Sequence, residues 1–270
     1  MKAIVNRQVC ALHTRPTRES SLTDEVLYGM VVELLEMPVP GWYRVRTHYR
    51  YEGFAAAEDL LTENAENWEQ QPKIMVLQKN QCDVLSEPKV QGYPMQVLPR
   101  GGLVVPLEEA GEGWRKVRLA DGRTGFVPSA VMAPQPLEPV SQDEQILRKA
   151  LVESALLYQG THYRWGGKSP QGIDCSGLCS MAYMLCGILI FRDADIREGF
   201  PIRKISPDRM APGDLLFFPG HVAMYIGGGR FCHSTAKQGC HGFAVNSLNP
   251  GDPDYREDLH RTITQIGSYF

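Results

Sequence analysis

The chain has 270 residues, 43% of them hydrophobic and 22% charged, with a formal net charge of −3; this composition is typical of a folded protein of two or three domains. Because it has no basic excess and no long run of Lys and Arg, we expect no nucleic-acid partner. No stretch reaches the ~18 consecutive apolar residues of a spanning helix, so we expect no membrane partner.

An internal repeat occupies the N-terminal half of the sequence. The motif GWYRVR at 41–46 recurs as GWRKVR at 113–118, and the dipeptide GF at 53–54 recurs at 125–126, both with an offset of 72 residues. Each copy reads as short alternating strands separated by glycine turns. A repeat unit that fits within the 72-residue offset and consists of short strands is typical of small SH3-like barrels. The sequence therefore predicts two such barrels in tandem.

The repeat, and a later change of pattern, predict three domains. The two SH3-like barrels are expected at 1–62 and 73–133, joined by the segment 62–72 and followed by the proline-spaced linker 133–142. From 143 to 270 the pattern changes to helices first and short strands afterwards, the order typical of an α+β domain with an antiparallel sheet. The predicted architecture is therefore two small all-β barrels followed by an α+β domain.

Two helices and three strands are predicted in the C-terminal domain. A capping box of Ser141 and Glu144 opens the first helix. Its apolar stripe consists of Ile146, Leu147, Ala150, Leu151, Ala155 and Tyr158. The second helix begins at about Cys175, carries its apolar residues at helical spacing, and ends at Gly187. Three short strands are then expected at 214–218, 221–227 and 230–235.

The sequence has seven cysteines, an odd number. Because the N-terminus lacks the apolar core of a secretion signal, they are expected to be reduced thiols in a cytoplasmic protein; secretion is the alternative if a signal has been removed. Cys179 and Cys186 follow Cys175 at helical spacing and are expected to pack in the core. The spacing is not that of paired C-x-x-C ligands, so no metal ion is expected.

Cys175 differs from the other cysteines because it lies at a predicted helix start, capped by Asp174, where backbone N–H groups and the helix dipole favour a thiolate. The alternative is a buried cysteine at a helix end. His221 and His233 lie on consecutive strands, and a turn centred on Gly228 makes them diagonal neighbours on one face. One imidazole can then act as a base while the other orients it, so these three residues are the candidate catalytic set.

Four ordered segments of the C-terminal half form a recognisable set: YRWGGKSPQGIDCSGL at 163–178, FRDAD at 191–195, PGDLLFF at 212–218 and GHVAMYIGGGRFCHS at 220–234. Together they resemble the NlpC-type cysteine peptidases of bacterial cell-wall metabolism. The resemblance implies a papain-like α+β catalytic domain over 143–270. It also implies Cys175 as the nucleophile, His221 as the general base and His233 as the polar residue that orients the base. No metal ion or organic cofactor is implied.

Two SH3-like domains ahead of such a domain resemble a narrower branch of that family, the γ-D-glutamyl-L-diamino acid endopeptidases. This resemblance implies hydrolysis of the bond between γ-D-Glu and L-Lys or meso-diaminopimelate. The implied substrate is a small murein peptide with a free N-terminal L-Ala, and the implied product is L-Ala-γ-D-Glu, released in cell-wall peptide recycling. In that branch the first SH3-like domain narrows one end of the cleft.

The same resemblance places Tyr163, Asp174 and Ser176 along the substrate site. The Cys175 backbone N–H and the Tyr163 side chain are then the expected donors to the oxyanion that forms on the attacked carbonyl. The RDA motif at 192–194 matches a segment near the bound dipeptide, although relatives often have Ser where this chain has Ala. One substrate hydrogen bond is therefore expected to be missing.

The charges of the implied substrate call for charged partners. A free α-amine needs a carboxylate, for which Asp174 and Asp193 are candidates. The α-carboxylate of D-Glu needs a cation, and Arg192 can bind it bidentately; alternatively, Arg192 forms a structural ion pair with Asp193 or Asp195. From the first SH3-like domain, Tyr51 is the candidate for closing the amine subsite. The competing residues are Tyr49, Glu19 and Glu25.

Two other functions stay open at this point. One is a secreted peptidoglycan hydrolase that acts on intact cell wall and uses its SH3-like domains to bind the wall. The other, from a different class, is a non-catalytic protein that binds wall peptides. The expected signature of a relict site is the loss of Cys175 or of a histidine, and that loss is absent from this sequence.

Overall fold

The structure of the protein, a computed structural model, describes residues 1–270. It contains two compact units, Met1–Gln135 and Pro136–Phe270, and the division between them falls within the segment predicted as the second linker. The N-terminal unit contains two antiparallel sheets, and the C-terminal unit combines helices with one larger sheet. None of the helices has the length and hydropathy that a membrane crossing requires.

The first sheet of the N-terminal unit has seven strands. They are β1 (Lys2–Val5), β2 (Val9–His13), β3 (Leu22–Leu27), β4 (Val31–Val39), β5 (Trp42–Thr47), β6 (Glu52–Ala56) and β7 (Leu60–Leu61). Their spatial order is β3-β2-β6-β5-β4-β1-β7. A single 3₁₀ turn, Ala57–Asp59, precedes the last strand.

The second sheet repeats the first in strand number and order. Its strands are β8 (Ile74–Val76), β9 (Gln81–Leu85), β10 (Pro94–Pro99), β11 (Leu103–Glu109), β12 (Trp114–Arg118), β13 (Thr124–Pro128) and β14 (Met132–Pro134), with a 3₁₀ turn at Ser129–Val131. The spatial order is β10-β9-β13-β12-β11-β8-β14. The predicted internal repeat is therefore confirmed as a repeat of topology. The SH3-like character of the sheets and the domain bounds 1–62, 73–133 and 143–270 stay predictions.

The segment predicted as the first linker, 62–72, is instead partly helical. It forms α1 (Ala65–Gln70), and Trp68 in this helix is only 4% exposed. Its indole N–H donates to the carbonyl of Gly29 at 2.8 Å, and its ring packs with apolar residues from both sheets. The predicted linker therefore contains a short helix, and its buried tryptophan ties the segment to the core.

The C-terminal unit contains three helices and a six-stranded sheet. The helices are α2 (Glu144–Leu156), α3 (Cys175–Leu185) and α4 (Glu257–His260), with a 3₁₀ turn at Pro207–Arg209. A small hairpin pairs β15 (Lys168–Ser169) with β16 (Gly172–Ile173). The large sheet consists of β17 (Arg203–Ile205), β18 (Leu215–Phe218), β19 (His221–Gly227), β20 (Arg230–Thr235), β21 (Gly242–Ser247) and β22 (Gln265–Ser268).

The spatial order of the large sheet is β17-β22-β18-β19-β20-β21, and every pairing is antiparallel. The predicted α+β class with an antiparallel sheet is confirmed, and the three predicted strands correspond to β18, β19 and β20. The sequence did not predict β17, β21 and β22. Edge strand β17 is polar and mostly exposed, and β21 has a short apolar run at 243–245 that is only half buried, so neither was recognised as a strand.

The first helix of this unit is capped differently from the prediction. Asp143, rather than Ser141, is the N-cap, and its carboxylate accepts from the N–H groups of Gln145 at 2.8 Å and Ile146 at 3.1 Å. Ile146 was placed on the apolar stripe but is 59% exposed. The buried stripe is narrower and consists of Leu147, Leu151 and Ala155.

Helix α3 is buried on all sides rather than along one stripe. Every residue from Cys175 to Leu185 is buried except Met184. Gly187 has φ +80°, just beyond the last turn, which confirms the predicted stop because glycine adopts this conformation most easily. A helix start inside a protein needs partners for its free N–H groups, and the residues that supply them form the candidate active site.

Candidate active site

The two predicted histidines lie on one face of the large sheet. Strands β19 and β20 pair Met224 with Cys232, and this register continues to place Ala223 opposite His233. His221 and His233 are therefore diagonal neighbours, as predicted. Their rings meet edge to face with centroids 5.0 Å apart, and His221 Nε2 lies 2.8 Å from His233 Nδ1, at hydrogen-bonding distance.

The turn that sets this register differs in detail from the prediction. Gly227 pairs with Arg230, so the turn has two central residues, Gly228 and Gly229, rather than one. Both have positive φ, 61° and 74°, as tight hairpin turns require. A bulge after Tyr225 absorbs the extra residue and restores the register that aligns the histidines.

Cys175 is the first residue of α3, and its sulfur faces the start of β19. The backbone N–H groups of Val222 and Ser176 are directed at the sulfur, where they stabilise a thiolate. Val222 directly follows His221 in the chain, so the strand that carries the base reaches the nucleophile. The structure thus brings Cys175 together with the histidine pair, although their catalytic roles stay predictions.

Burial controls the protonation of this group of side chains. Burial, and to a smaller extent Asp174, outweigh the two N–H groups and Arg192 and raise the pKa of the Cys175 thiol to about 11. Burial also lowers the pKa of His221 to about 4. The expectation of a thiol pKa lowered by the helix start was therefore wrong for the protein without substrate. Near neutral pH the pair consists of a thiol and a neutral imidazole, so the proton must move as the sulfur attacks.

Arg192 and Asp174 form a buried ion pair beneath the helix start. Arg192 is 1% exposed, and its Nη1 and Nη2 atoms lie 3.1 Å from Asp174 Oδ1 and Oδ2 respectively. The guanidinium also donates to Ser176 Oγ at 2.8 Å and to the Gly167 carbonyl at 3.2 Å. Arg192 thus forms a structural ion pair with Asp174, a partner that the sequence analysis did not foresee. A contact of Arg192 with substrate stays a prediction.

The carboxylate of Asp174 also holds the backbone around the nucleophile. It is the N-cap of α3, as predicted, and accepts from the Gly177 N–H at 2.6 Å. The same oxygen, Oδ1, accepts from Ser176 Oγ at 3.3 Å, and the other oxygen, Oδ2, accepts from the Gly166 N–H at 2.8 Å. Five donors therefore occupy its two oxygens. Both Asp174 and Ser176 were predicted to touch substrate, and that role stays a prediction.

Tyr163 lies on the loop before the nucleophile. Its backbone bridges to Ile173, the residue before the N-cap, and its N–H donates to the His241 carbonyl at 2.8 Å. Burial, followed by the nearby Cys175 and Asp174, raises the pKa of its phenol to about 12. The phenol therefore stays protonated near neutral pH and can donate a hydrogen bond, as the predicted oxyanion contact requires.

A narrow pocket adjoins the first turn of α3. Ser176 and Val222, whose N–H groups face the sulfur, lie in its wall, and its floor is apolar. Its charged lining consists of Asp193, Asp195 and Arg197. The pocket therefore has charged groups of both signs in its lining, next to the residues that follow Cys175 and His221 in the chain. No group of three or more His, Cys, Asp and Glu side chains is arranged to hold a metal ion.

Tyr51 belongs to the N-terminal unit. Its hydroxyl lies 3.0 Å from Thr23 Oγ1. Of its competitors, Tyr49 is buried and donates to Asp24 Oδ2 at 2.6 Å, and Glu25 is buried as well. The role of Tyr51 in closing an amine subsite stays a prediction.

One polar residue next to the histidines was not predicted from the sequence. Asn246 on β21 has its Oδ1 atom 3.0 Å from His233 Nε2. It was not considered because β21 was not predicted. The sequence feature that could have indicated this role is a polar asparagine in a segment of apolar residues shortly after His233.

The sequence profile of the NlpC/P60 family matches residues 160–251. Dipeptidyl-peptidase 6 from Lysinibacillus sphaericus is 45% identical to this chain over 275 aligned residues that cover 100% of both proteins. Gamma-D-glutamyl-L-lysine dipeptidyl-peptidase from Bacillus subtilis strain 168 is 32% identical over 168 residues, 58% of this chain and 51% of that protein. A crystal structure of an NlpC/P60 family protein from Bacillus cereus ATCC 10987 aligns with a TM-score of 0.81 at 20% identity, covering 100% of this chain and 99% of that one. It has the same fold.

The buried ion pair leads to a prediction about stability. Replacing Arg192 by Met leaves the Asp174 carboxylate buried without its cation, so we expect a loss of about 3–5 kcal/mol in the free energy of unfolding. Urea denaturation measures this loss. The matched control is Arg209→Met, an exposed arginine of the same unit, which is expected to change stability by less than about 0.5 kcal/mol. Equal stability of the Arg192 variant and the native protein would contradict a structural role for the pair.

The histidine pair leads to a prediction about pH. Burial lowers the pKa of His221 to about 4 and that of His233 to about 3, from an ordinary value of 6.5. Unfolding below pH 6.5 therefore takes up protons, and stability is lost as the pH falls from 6.5 towards 4. We expect the melting temperature to fall over this range, and to fall less in His233→Gln. His260→Gln, which removes an exposed histidine, should match the native curve; an unchanged pH dependence in His233→Gln would refute the assignment.

Proposed function

The chain belongs to the NlpC/P60 family and is a cysteine peptidase, and from this premise we propose that it hydrolyses the bond between γ-D-Glu and a diamino acid in murein peptides. The diamino acid is L-Lys or meso-diaminopimelate, the peptide carries a free N-terminal L-Ala, and the product is L-Ala-γ-D-Glu. The observation that carries the proposal is the buried cysteine at a helix start, next to a strand whose histidine is hydrogen-bonded to a second histidine.

In the first step the Cys175 sulfur attacks the γ-carbonyl carbon of D-Glu. His221 Nε2 is engaged with His233, so Nδ1 is the nitrogen left to take the thiol proton as the C–S bond forms. The carbonyl oxygen becomes an oxyanion. The Cys175 N–H and the Tyr163 phenol are the donors proposed to stabilise it.

The intermediate then breaks its C–N bond. The His221 imidazolium returns its proton to the α-amine of the diamino acid, which leaves, and L-Ala-γ-D-Glu remains attached to Cys175 as a thioester. In the second half, water loses a proton to His221 and attacks the thioester carbon. Release of the dipeptide carboxylate restores the thiol and the neutral imidazole. His233 keeps the His221 ring in one orientation through both halves.

The charged lining of the pocket supports a small, doubly charged substrate. Asp174 and Arg192 bind each other beneath the helix start, whereas Asp193 and Arg197 line the pocket itself. We assign the α-amine of L-Ala to Asp193 and the α-carboxylate of D-Glu to Arg197. The Arg197 side chain is 57% exposed and lies 3.8 Å from the Asp195 carboxylate. The substrate α-carboxylate can therefore bind Arg197 by taking the place of the Asp195 carboxylate.

The relatives described above support release of a dipeptide. Both are dipeptidyl-peptidases, and one is named for γ-D-glutamyl-L-lysine. A free N-terminus is what distinguishes a released murein peptide from one attached to the glycan through its L-Ala. Recognition of that amine by Asp193, together with Tyr51 as the gating residue, therefore favours a role in recycling of released peptides over hydrolysis of intact wall.

A peptide panel tests the proposal. We expect cleavage after D-Glu in L-Ala-γ-D-Glu-L-Lys and in the diaminopimelate peptide, no cleavage of their N-acetylated forms, and little release from purified sacculi. Mass spectrometry identifies the products. Cys175→Ala should abolish turnover. Cys240→Ala, which changes the exposed cysteine of the same unit, should keep full activity.

Each failure of the panel has a distinct meaning. Efficient cleavage of the acetylated peptides or of sacculi would replace the amine-gated proposal with that of a hydrolase of intact cell wall. Tight binding of the free peptides without turnover would favour the non-catalytic binding protein. Turnover by Cys175→Ala would exclude the thiol mechanism.

A second experiment tests the carboxylate subsite. Arg197→Gln removes the cation proposed to bind D-Glu, so kcat/KM for L-Ala-γ-D-Glu-L-Lys should fall about 10–100-fold, as expected for loss of a hydrogen bond to a charged group. The D-isoglutamine peptide lacks that negative charge and should be affected much less. Arg209→Gln is the control. An equal loss on both peptides would reassign Arg197 to a structural role.

A further inference from the structure

The hydrogen bonds of the histidine pair continue beyond His233 to Asn246. We propose that Asn246 is a positioning residue that fixes the tautomers of His233 and His221, and thereby determines that His221 Nδ1 is the basic nitrogen. This inference rests on the proposed cysteine-peptidase site but not on the identity of its substrate. It follows from three successive hydrogen-bonding contacts, which link the Asp254 carbonyl, Asn246, His233 and His221.

The first contact determines which way the Asn246 amide points. Asn246 Nδ2 lies 3.1 Å from the backbone carbonyl oxygen of Asp254. A carbonyl oxygen can only accept, so the NH₂ group must face it. The opposite orientation would set two acceptor oxygens against each other. Asn246 Oδ1 therefore faces His233.

The second contact determines the tautomer of His233. Its Nε2 lies 3.0 Å from Asn246 Oδ1, which accepts and cannot donate, so Nε2 carries the proton. In a neutral imidazole only one nitrogen is protonated, so Nδ1 of His233 has a free lone pair. This residue is completely buried, and water cannot replace the lost partner if the ring changes tautomer.

The third contact transmits this choice to His221. Its Nε2 lies 2.8 Å from the unprotonated Nδ1 of His233, so Nε2 of His221 must donate. Nδ1 of the neutral His221 ring is then unprotonated and can accept the thiol proton. The other tautomer would present an N–H group to Cys175 and could not act as the base.

The carbonyl at the end of the chain is itself held firmly. Asp254 O also accepts from the Ser247 N–H at 3.2 Å, and the Arg256 N–H donates to the Ser247 carbonyl at 3.0 Å. The Asp254 carboxylate pairs with Arg230, with Nη1 lying 3.4 Å from Oδ1. The loop after β21 therefore offers the Asn246 amide an acceptor at a fixed position.

The surroundings of the two rings are mostly apolar. Phe231 stacks edge to face on His233 with centroids 5.2 Å apart, and Phe218 lies 5.7 Å from His221. The charged groups that face the rings are Arg256, which is ion-paired with Asp258 at 2.7 Å, together with Asp174. Arg256 disfavours the charged imidazolium, and the two aspartates favour it. None of these groups replaces the acceptor that Asn246 provides to Nε2.

Two substitutions separate a positioning role from a merely structural one. Asn246→Leu has a similar volume and removes both hydrogen bonds. Asn246→Asp keeps an oxygen acceptor for His233 Nε2 and gives up the bond to Asp254. Asn249→Leu is the matched control, because Asn249 is an exposed asparagine a few residues further along, whose amide bonds to the Gly228 carbonyl and not to a histidine.

Nitrogen NMR of protein labelled at the histidine side chains reads the tautomers directly and needs no substrate. In the native protein we expect both active-site rings as the Nε2–H form. In Asn246→Leu the signals should indicate a mixture of tautomers, while Asn246→Asp should keep the native form. Assignment uses the loss of signals in His221→Gln and His233→Gln.

Kinetics provide the second readout. In Asn246→Leu we expect kcat to fall about 10–100-fold with little change in KM, a loss typical of second partners that orient an active-site imidazole. Asn246→Asp should recover most of kcat. Its negative charge favours the imidazolium, so the acid limb of the pH profile should move to higher pH. The rate of Cys175 alkylation by iodoacetamide should follow the same order.

Unchanged tautomers and unchanged kcat in Asn246→Leu would overturn the inference. So would parallel losses of activity and melting temperature in both variants without a shift of the acid limb, because a structural role alone predicts that result. If the native protein does not cleave the murein peptide, the proposed substrate fails. The NMR and alkylation measurements still decide the role of Asn246.

Discussion

The buried ion pair between Asp174 and Arg192 is the interaction on which the rest of the catalytic unit depends. It lies beneath the start of α3, where the first backbone N–H groups have no partner within the helix. Through one carboxylate it joins three segments: the glycine loop at Gly166, the helix start at Gly177, and the loop that carries Arg192. Because both charges are buried, neither can be removed without leaving the other unpaired, so Cys175 is held in one place.

Burial of the site also determines the protonation states of the catalytic side chains. Burial keeps Cys175 as a thiol and His221 as a neutral imidazole, so activation depends on the geometry of proton transfer rather than on a preformed thiolate. Geometry in turn depends on which imidazole nitrogen is free. A chain of hydrogen bonds from His221 through His233 to Asn246 selects it. In a wetter site, solvent would compete for each of these bonds and the selection would be weak.

The N-terminal unit is held together by contacts between its two repeated sheets. The Tyr28 hydroxyl accepts from the Ala120 N–H at 3.0 Å, and the Leu103 N–H donates to the Tyr28 carbonyl at 2.8 Å. Trp68 packs between residues of both sheets. Each of these contacts joins the first sheet to the second, whereas the sequence repeat by itself predicted two separate barrels.

Local patterns in the sequence by themselves determined the repeat, the α+β class and the triplet of Cys175, His221 and His233. Strand and helix periodicity are local properties, so they can be recognised in the sequence. A short glycine turn connects the strands of His221 and His233, so the register of these strands could be predicted as well. Tertiary structure alone decided the partner of Arg192 and the place of Asn246. A buried charge pairs with whatever the folded chain brings within reach, and the neighbours of Asn246 depend on which strand and loop lie beside β21. No local sequence pattern encodes the Arg192–Asp174 or the Asn246–His233 contact, because both depend on how segments distant in sequence pack together in the buried interior.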